Sequence, residues 1–144
     1  MSIQHGQCTS FKQELLNGYH AFSSAFRAAD TFKIALYTSS ASLDYTTTVY
    51  SPTNEVSGTG YVSGGNVLTP IDPASAGQTA YLSFNDISWP SASFTANGAL
   101  IYNATQGNRA VFILAFGNDK TTVNQTFTVA FPTNGATTSV VRIS

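Results

Sequence analysis

Charge is what this sequence has least of. Asp, Glu, Lys and Arg make up 9% of its 144 residues, against roughly 25% in an ordinary soluble domain. The formal net charge is −1, and the basic residues Lys12, Arg27, Lys33, Arg109, Lys120 and Arg142 are scattered. No cluster could follow a phosphate backbone, so nucleic acid is not expected as a partner. A surface with so few charges is poorly defended against association, which points to one covered in an assembly.

Cysteine is nearly absent. Cys8 alone excludes an intrachain disulfide framework and a cysteine-based zinc site, and fits production in a reducing cytoplasm. Long apolar runs are missing too, so no transmembrane helix and no membrane partner are expected. The opening MSIQHGQCTS has neither the basic nor the apolar region of a signal peptide.

What is present is Thr, Ser and Asn between short apolar stretches, with hydrophobic residues at 42%. This suits strands and turns. In TFKIALYT (31–38), Phe32, Ile34 and Leu36 alternate with Lys33, Ala35 and Tyr37, the pattern of a strand with one face on a core. Further strands are expected at 45–50, 56–62, 66–69, 81–84, 87–89, 93–96, 99–103, 110–116, 126–131 and 138–143. Asn97-Gly98, 104–108, 117–120 and 132–135 read as turns. The fold class expected is all-β, a single antiparallel β-sandwich, jelly-roll-like, with a short N-terminal helix.

Residues 1–9 read as a polar arm, ordered only if something holds it, and 10–144 as one sandwich domain. Ser10 and Gln13 have capping-box spacing and Gly18 is placed as a C-cap, giving a helix over about 10–17; an extension to about Phe26 is the alternative. Phe11, Leu15, Tyr19, Phe22 and Phe26 recur near helical spacing. They either pack across an open end of the sandwich or form a partner contact, and they are the candidate partner-contact residues.

Chemistry is sparse. Asp86 with Asp72 or Asp44 could form a glycosidase pair, but no spacing ties them, and Asp30, Asp44, Asp72, Asp86 and Asp119 all read as turn or strand-edge residues. His5 and His20 are too few and too far apart for a metal site, and read as partly exposed polar residues near the helix. The glycines of GTGYVSG (58–64) miss the dinucleotide spacing and suit tight corners in a sheet. Asn103 and Asn124 head glycosylation-type triplets that are chance matches in a chain without a signal peptide. Tyr45, Tyr50, Tyr61, Tyr81 and Trp89 could stack sugars, or fill a core. No catalytic residue, cofactor or metal is expected.

Several stretches in order resemble the small virion structural proteins of tailed bacteriophages. They are KQELLNG (12–18), DTFKIALYTSSA (30–41), NEVSGTGY (54–61), GGNVL (64–68), WPSASFTANGALIYN (89–103), NRAV (108–111), FGNDK (116–120) and FPT (131–133). The stretch 21–29 departs from the compact form of that pattern. The resemblance implies a virion component without enzymatic chemistry, made in the host cytoplasm. It further implies a capsid decoration or cement protein that self-associates, as a homotrimer, against the major capsid protein. The alternative is a tail, collar or fibre component contacting the host surface, by carbohydrate binding in one version.

Overall fold

A computed structural model describes residues 3–143. The chain orders as β1 (Gly6–Gln7), α1 (Thr9–Asn17), β2 (Phe32–Tyr37), β3 (Asn66–Leu68), β4 (Ala74–Ala76), β5 (Thr79–Leu82), β6 (Ile87–Asn103), β7 (Arg109–Val129) and β8 (Val141–Ile143). One sheet runs β1-β7-β6-β2-β3 and the other β4-β5-β8. Every pairing between these strands is antiparallel. The all-β, two-sheet architecture with one short helix is therefore present; the pairing establishes the sheets and not a jelly-roll order.

Phe32, Ile34 and Leu36 of β2 are buried, as the alternation predicts. Ala35 and Tyr37 are buried as well, because β2 is covered on both sides. The irregular segment 51–65 lies along it: Val56 N donates to Leu36 O at 2.9 Å and Thr38 N to Asn54 O at 3.0 Å.

The N-terminal arm is part of the sheet. Gly6 and Gln7 pair with Ile113 and Phe112, and Gln4 N and Thr9 N donate to Leu43 O and Tyr45 O. Residues 1 and 2 of that arm lie outside the described residues. The helix begins one residue before the expected Ser10, with Cys8 at the N-cap and no side-chain cap. The capping box does not form, and Ser10 Oγ is buried without a partner. The C-terminus is as expected. Gly18 is left-handed at φ 82°, and its N–H and that of Tyr19 close on Leu15 O and Glu14 O, the Schellman arrangement.

The largest departure concerns the second half of the chain. The expected strands at 87–89, 93–96 and 99–103 are one continuous strand, β6, and those at 110–116 and most of 126–131 belong to β7. The turn at 104–108 is real and joins them. Asn97-Gly98 and Gly117 to Lys120 are not turns; they sit inside the ribbon. Their turn chemistry bends it instead. Register shifts fall at Trp89/Ala92, Ala92/Phe94 and Ala96/Gly98, and Ser91, Asn124 and Gly117 have φ of 50°, 53° and 87°. The Phe116 and Phe127 rings are 6.3 Å apart. A straight strand at about 3.3 Å per residue would hold them about 36 Å apart. The ribbon therefore folds back over itself, as bulged strands do, and encloses Trp89, Phe94 and Phe127. The runs 45–50 and 56–62 are not strands; they contribute only isolated bridges such as Val49 to Arg109 and Thr59 to Ser93.

Residues from both sheets and α1 share one apolar cluster, which includes Phe11, Phe32, Leu82, Leu100, Ile113 and Val141. Among the described residues, no helix is long and apolar enough to cross a membrane.

Candidate functional site

Two polar clusters pack against the large sheet, one begun by a charged residue of helix α1 and the other by a charged residue of the irregular segment 51–65. The first starts at Glu14. Its position three residues after Phe11 places it on the helix face that turns inward, and it is itself buried. Its carboxylate takes Nε2 of His20 at 2.9 Å and the Arg109 guanidinium at 2.8 Å. Arg109 also lies 4.1 Å over the Tyr19 ring, a cation–π contact.

His20 links this pair to a second one. Asn103 Nδ2 donates to His20 Nδ1 at 3.0 Å and to Asp30 Oδ2 at 2.8 Å. Arg27 reaches Asp30 Oδ1 at 2.9 Å, and Ala21 N donates to Asp30 Oδ2 at 2.8 Å. With Nδ1 accepting from Asn103, the His20 proton is assigned to Nε2, facing Glu14. Burial lowers the His20 pKa below its ordinary value, against the pull of Glu14. Burial pushes the Asp30 carboxyl up, but hydrogen bonds from Arg27, Asn103, Ala21 and Gln106 outweigh it and hold it down to about 2.

Chemically, this is a clamp. Both ring nitrogens of His20 are engaged within the chain, so the imidazole has no nitrogen to offer a substrate. The expectation that His20 is partly exposed is corrected: its side chain has no exposed surface. His5 is exposed, with Nδ1 accepting from Ala115 N at 3.2 Å. The clamp ties 19–31 to the ends of α1 and β6.

The second cluster surrounds Glu55. Its carboxylate accepts from Tyr50 OH at 2.7 Å, Ser63 Oγ at 3.0 Å, Gly64 N at 2.8 Å and the Tyr61 hydroxyl. Tyr61 OH in turn accepts from Leu36 N at 2.9 Å, and Tyr102 OH donates to Gly64 O at 2.6 Å. Burial raises the Tyr61 and Tyr102 pKa values, the latter to about 12. The approach is so close at Gly65 that a Cβ would lie 1.7 Å from Ile34 O. The glycines of this segment permit close packing on the sheet, not a phosphate cradle.

The five candidate partner-contact residues do not form one stripe. Phe11 and Phe22 are core residues, 0% and 8% exposed. This corrects their candidacy: Phe22 stacks on Phe32 with ring centroids 4.4 Å apart and cannot reach a partner. Leu15 is half-buried beside the core. Tyr19 is 39% exposed and Phe26 98%. The helix stops at Asn17, so the periodicity beyond it has no helix to carry it.

The aromatic platform is likewise not assembled. Tyr61 and Trp89 are buried and stacked together, and Tyr50 stacks on Tyr102 at 4.6 Å. Of the acids, Asp44 caps its own turn through Thr46 N, Asp86 accepts from Phe131 N, and Asp119 from Asn97. Asp30 and Asp119 are not turn residues: Asp30 is in the clamp and Asp119 lies within β7. No hydrogen bond joins Asp86 to Asp44 or Asp72 among the described residues. Cys8 is buried, its thiol pushed up to about 12 by that burial and by the charges of Asp44 and Glu14. Among the described residues, no group of three or more His, Cys, Asp or Glu converges as metal ligands.

Sequence reasoning did not single out Glu14 or Glu55, and it took Asp30 as a turn or strand-edge acid, Asn103 as a chance triplet and Arg109 as a scattered base. A usable signal existed for two of them. Glu14 is a charge on the apolar helix face, and Asn103 is an amide closing the apolar run ALIY.

Comparison with protein-family models, curated proteins and solved structures finds no match to this chain.

Proposed function

We propose that this chain is a structural component of a tailed-bacteriophage virion, a capsid decoration or cement protein that self-associates and stabilises the major capsid shell. One observation carries the reading. The stretches that resemble that family hold most of the residues that build the two clusters, though not His20, Arg27, Tyr50 or Ser63: Glu14 in KQELLNG, Asp30 in DTFKIALYTSSA, Glu55 and Tyr61 in NEVSGTGY, Gly64 and Gly65 in GGNVL, Asn103 in ALIYN and Arg109 in NRAV. The resemblance thus follows what holds the fold together.

Two properties support a contact role over a chemical one. The buried charges serve internal anchoring. The surface combines few charges with large exposed apolar residues, Leu16, Phe26, Val62 and Val123 among them, which suits coverage by copies and a shell. A homotrimer is the oligomer that the resemblance implies. The tail or fibre reading by sugar stacking has less support, since Tyr50, Tyr61 and Trp89 are stacked within the fold and only Tyr45 of the five candidate residues is largely exposed.

The test is stoichiometry. In purified particles, this protein is expected at copy numbers comparable to the major capsid protein. A few copies per particle would place it at the tail or portal and overturn the proposal.

A further inference from the structure

The five-stranded sheet ends at β1 and the three-stranded sheet ends at β8. Between these ends lies an open cleft of about 1080 Å³, just above the range of about 300–1,000 Å³ for small-molecule sites. Gly6 and Gln7 of β1 and Arg142 and Ile143 of β8 line it. Neither strand has a second neighbour among the described residues, so each has outer backbone N–H and C=O groups free for pairing.

Helix α1 forms another wall. Lys12, Leu15 and Leu16, at i, i+3 and i+4, all face the cleft, as helical geometry requires of that spacing. Leu16 is 91% exposed and Ile143 57%. The charged lining has one sign: Lys12 and Arg142 are there, and no Asp or Glu among the described residues. In a chain with six Lys and Arg and a net charge of −1, that concentration is a local positive field.

We propose that this cleft docks an extended acidic segment of another protein, added as a strand on the β8 edge. Main-chain hydrogen bonds to the edge would supply register, alternate apolar side chains would cover Leu15 and Leu16, and carboxylates would meet Lys12 and Arg142. A second copy of this chain does not fit that chemistry. Its seven acidic residues stand singly, each more than ten positions from the next, so no extended stretch of it brings two carboxylates to Lys12 and Arg142. The proposal is independent of the virion reading, because it is tested on the isolated chain and its failure leaves particle stoichiometry untouched.

The experiment is an NMR titration of the isotope-labelled full chain with a short blocked peptide of alternating glutamate and valine. The lysine–valine counterpart is the control. Saturable shifts are expected at the amides of Gly6, Gln7, Arg142 and Ile143 with the acidic peptide only. Lys12→Glu combined with Arg142→Glu, both exposed positions, should weaken binding at least about tenfold. Leu16→Ser should weaken it while leaving the free spectrum nearly unchanged. The proposal is overturned by absent or non-saturable shifts, by equal binding of the basic peptide, or by shifts that map elsewhere. Concentration-dependent shifts at these amides without peptide would also overturn it, assigning the cleft to a second copy.

Discussion

Asn103, at the end of β6, donates a hydrogen bond to Nδ1 of His20, 83 positions earlier in the chain, at 3.0 Å. Its second amide hydrogen goes to Asp30, and its Oδ1 accepts from the N–H groups of Thr105 and Gln106 at 3.1 Å each. Every hydrogen-bonding position of this buried side chain is used. One amide therefore closes the β6–β7 turn and fastens the 19–31 segment to the sheet.

Asn103→Ala removes those bonds and leaves buried partners without replacements. Leaving a buried polar group unsatisfied costs about 1–3 kcal/mol, so a loss of about 3 kcal/mol is expected for the cluster. A urea midpoint lowered accordingly, with an unchanged slope, would bear this out. A change below about 0.5 kcal/mol, the level of an ordinary surface substitution, would show that the cluster does not hold the segment.

The same cluster sets a pH dependence on the acid side. His20 titrates below its ordinary 6.5 in the folded chain. The unfolded chain then takes up the proton first, so stability is complete above 6.5 and declines as pH falls below it. Asp30, held down to about 2 against an ordinary 3.8, contributes stability above 3.8 that is lost as pH falls toward 2. Both act in one direction. Denaturation midpoints should be flat at neutral pH and fall in two stages on acidification. His20→Gln should abolish the first stage and Asp30→Asn the second. A midpoint that rises just below 6.5 would contradict the assignment of a neutral His20.

Glu55→Ala takes the acceptor from Tyr50, Tyr61, Ser63 and the Gly64 amide at once. Segment 51–65 has no regular strand of its own, so this carboxylate holds its internal shape and fixes the Tyr61 hydroxyl that accepts from Leu36 N of β2. A loss of about 2 kcal/mol is expected, with faster amide exchange confined first to 51–65. Gly65→Ala should be worse, because its φ is +79° and the added Cβ meets Ile34 O. Failure to recover folded protein is the outcome expected there, whereas a stable Gly65→Ala variant would show that 51–65 lies elsewhere.

How much of this was legible follows from where each signal resides. The alternation of Phe32, Ile34 and Leu36 is local, and it located β2 correctly. The burial of Ala35 and Tyr37 was not legible, because their cover comes from an irregular segment without periodicity. Asn97-Gly98 and Gly117-Asn118 carry turn chemistry, but such residues serve bulges as well as hairpins, Gly117 with a left-handed φ and Gly98 without one, and only the long-range pairing of β6 with β7 decides between them. The assembly of the clamp was not legible for a similar reason: Glu14 and Asn103 each carry a local signal, but they and His20, Asp30 and Arg109 are apart in sequence and meet only in the fold. The stripe Phe11 to Phe26 misled because its spacing continues past Gly18, where the helix has already ended.

That stripe yields the sharpest contrast between packing and contact. Phe11 and Phe26 are the same residue type in one pattern, yet one is 0% and the other 98% exposed. Phe11→Ala should cost about 3–5 kcal/mol, the usual price of emptying an aromatic core position. Phe26→Ser should change stability by no more than about 0.5 kcal/mol. Loop 19–31 is anchored through Arg27, whose guanidinium also reaches Tyr19 O at 2.9 Å, so the exposed ring is presented from a fixed base. If the chain self-associates through this loop, Phe26→Ser should shift sedimentation toward the monomer while the melting profile of the monomer is unchanged. Unaltered sedimentation of an assembled wild type and variant would remove Phe26 from the interface, and a large fall in monomer stability would show that its ring packs inward.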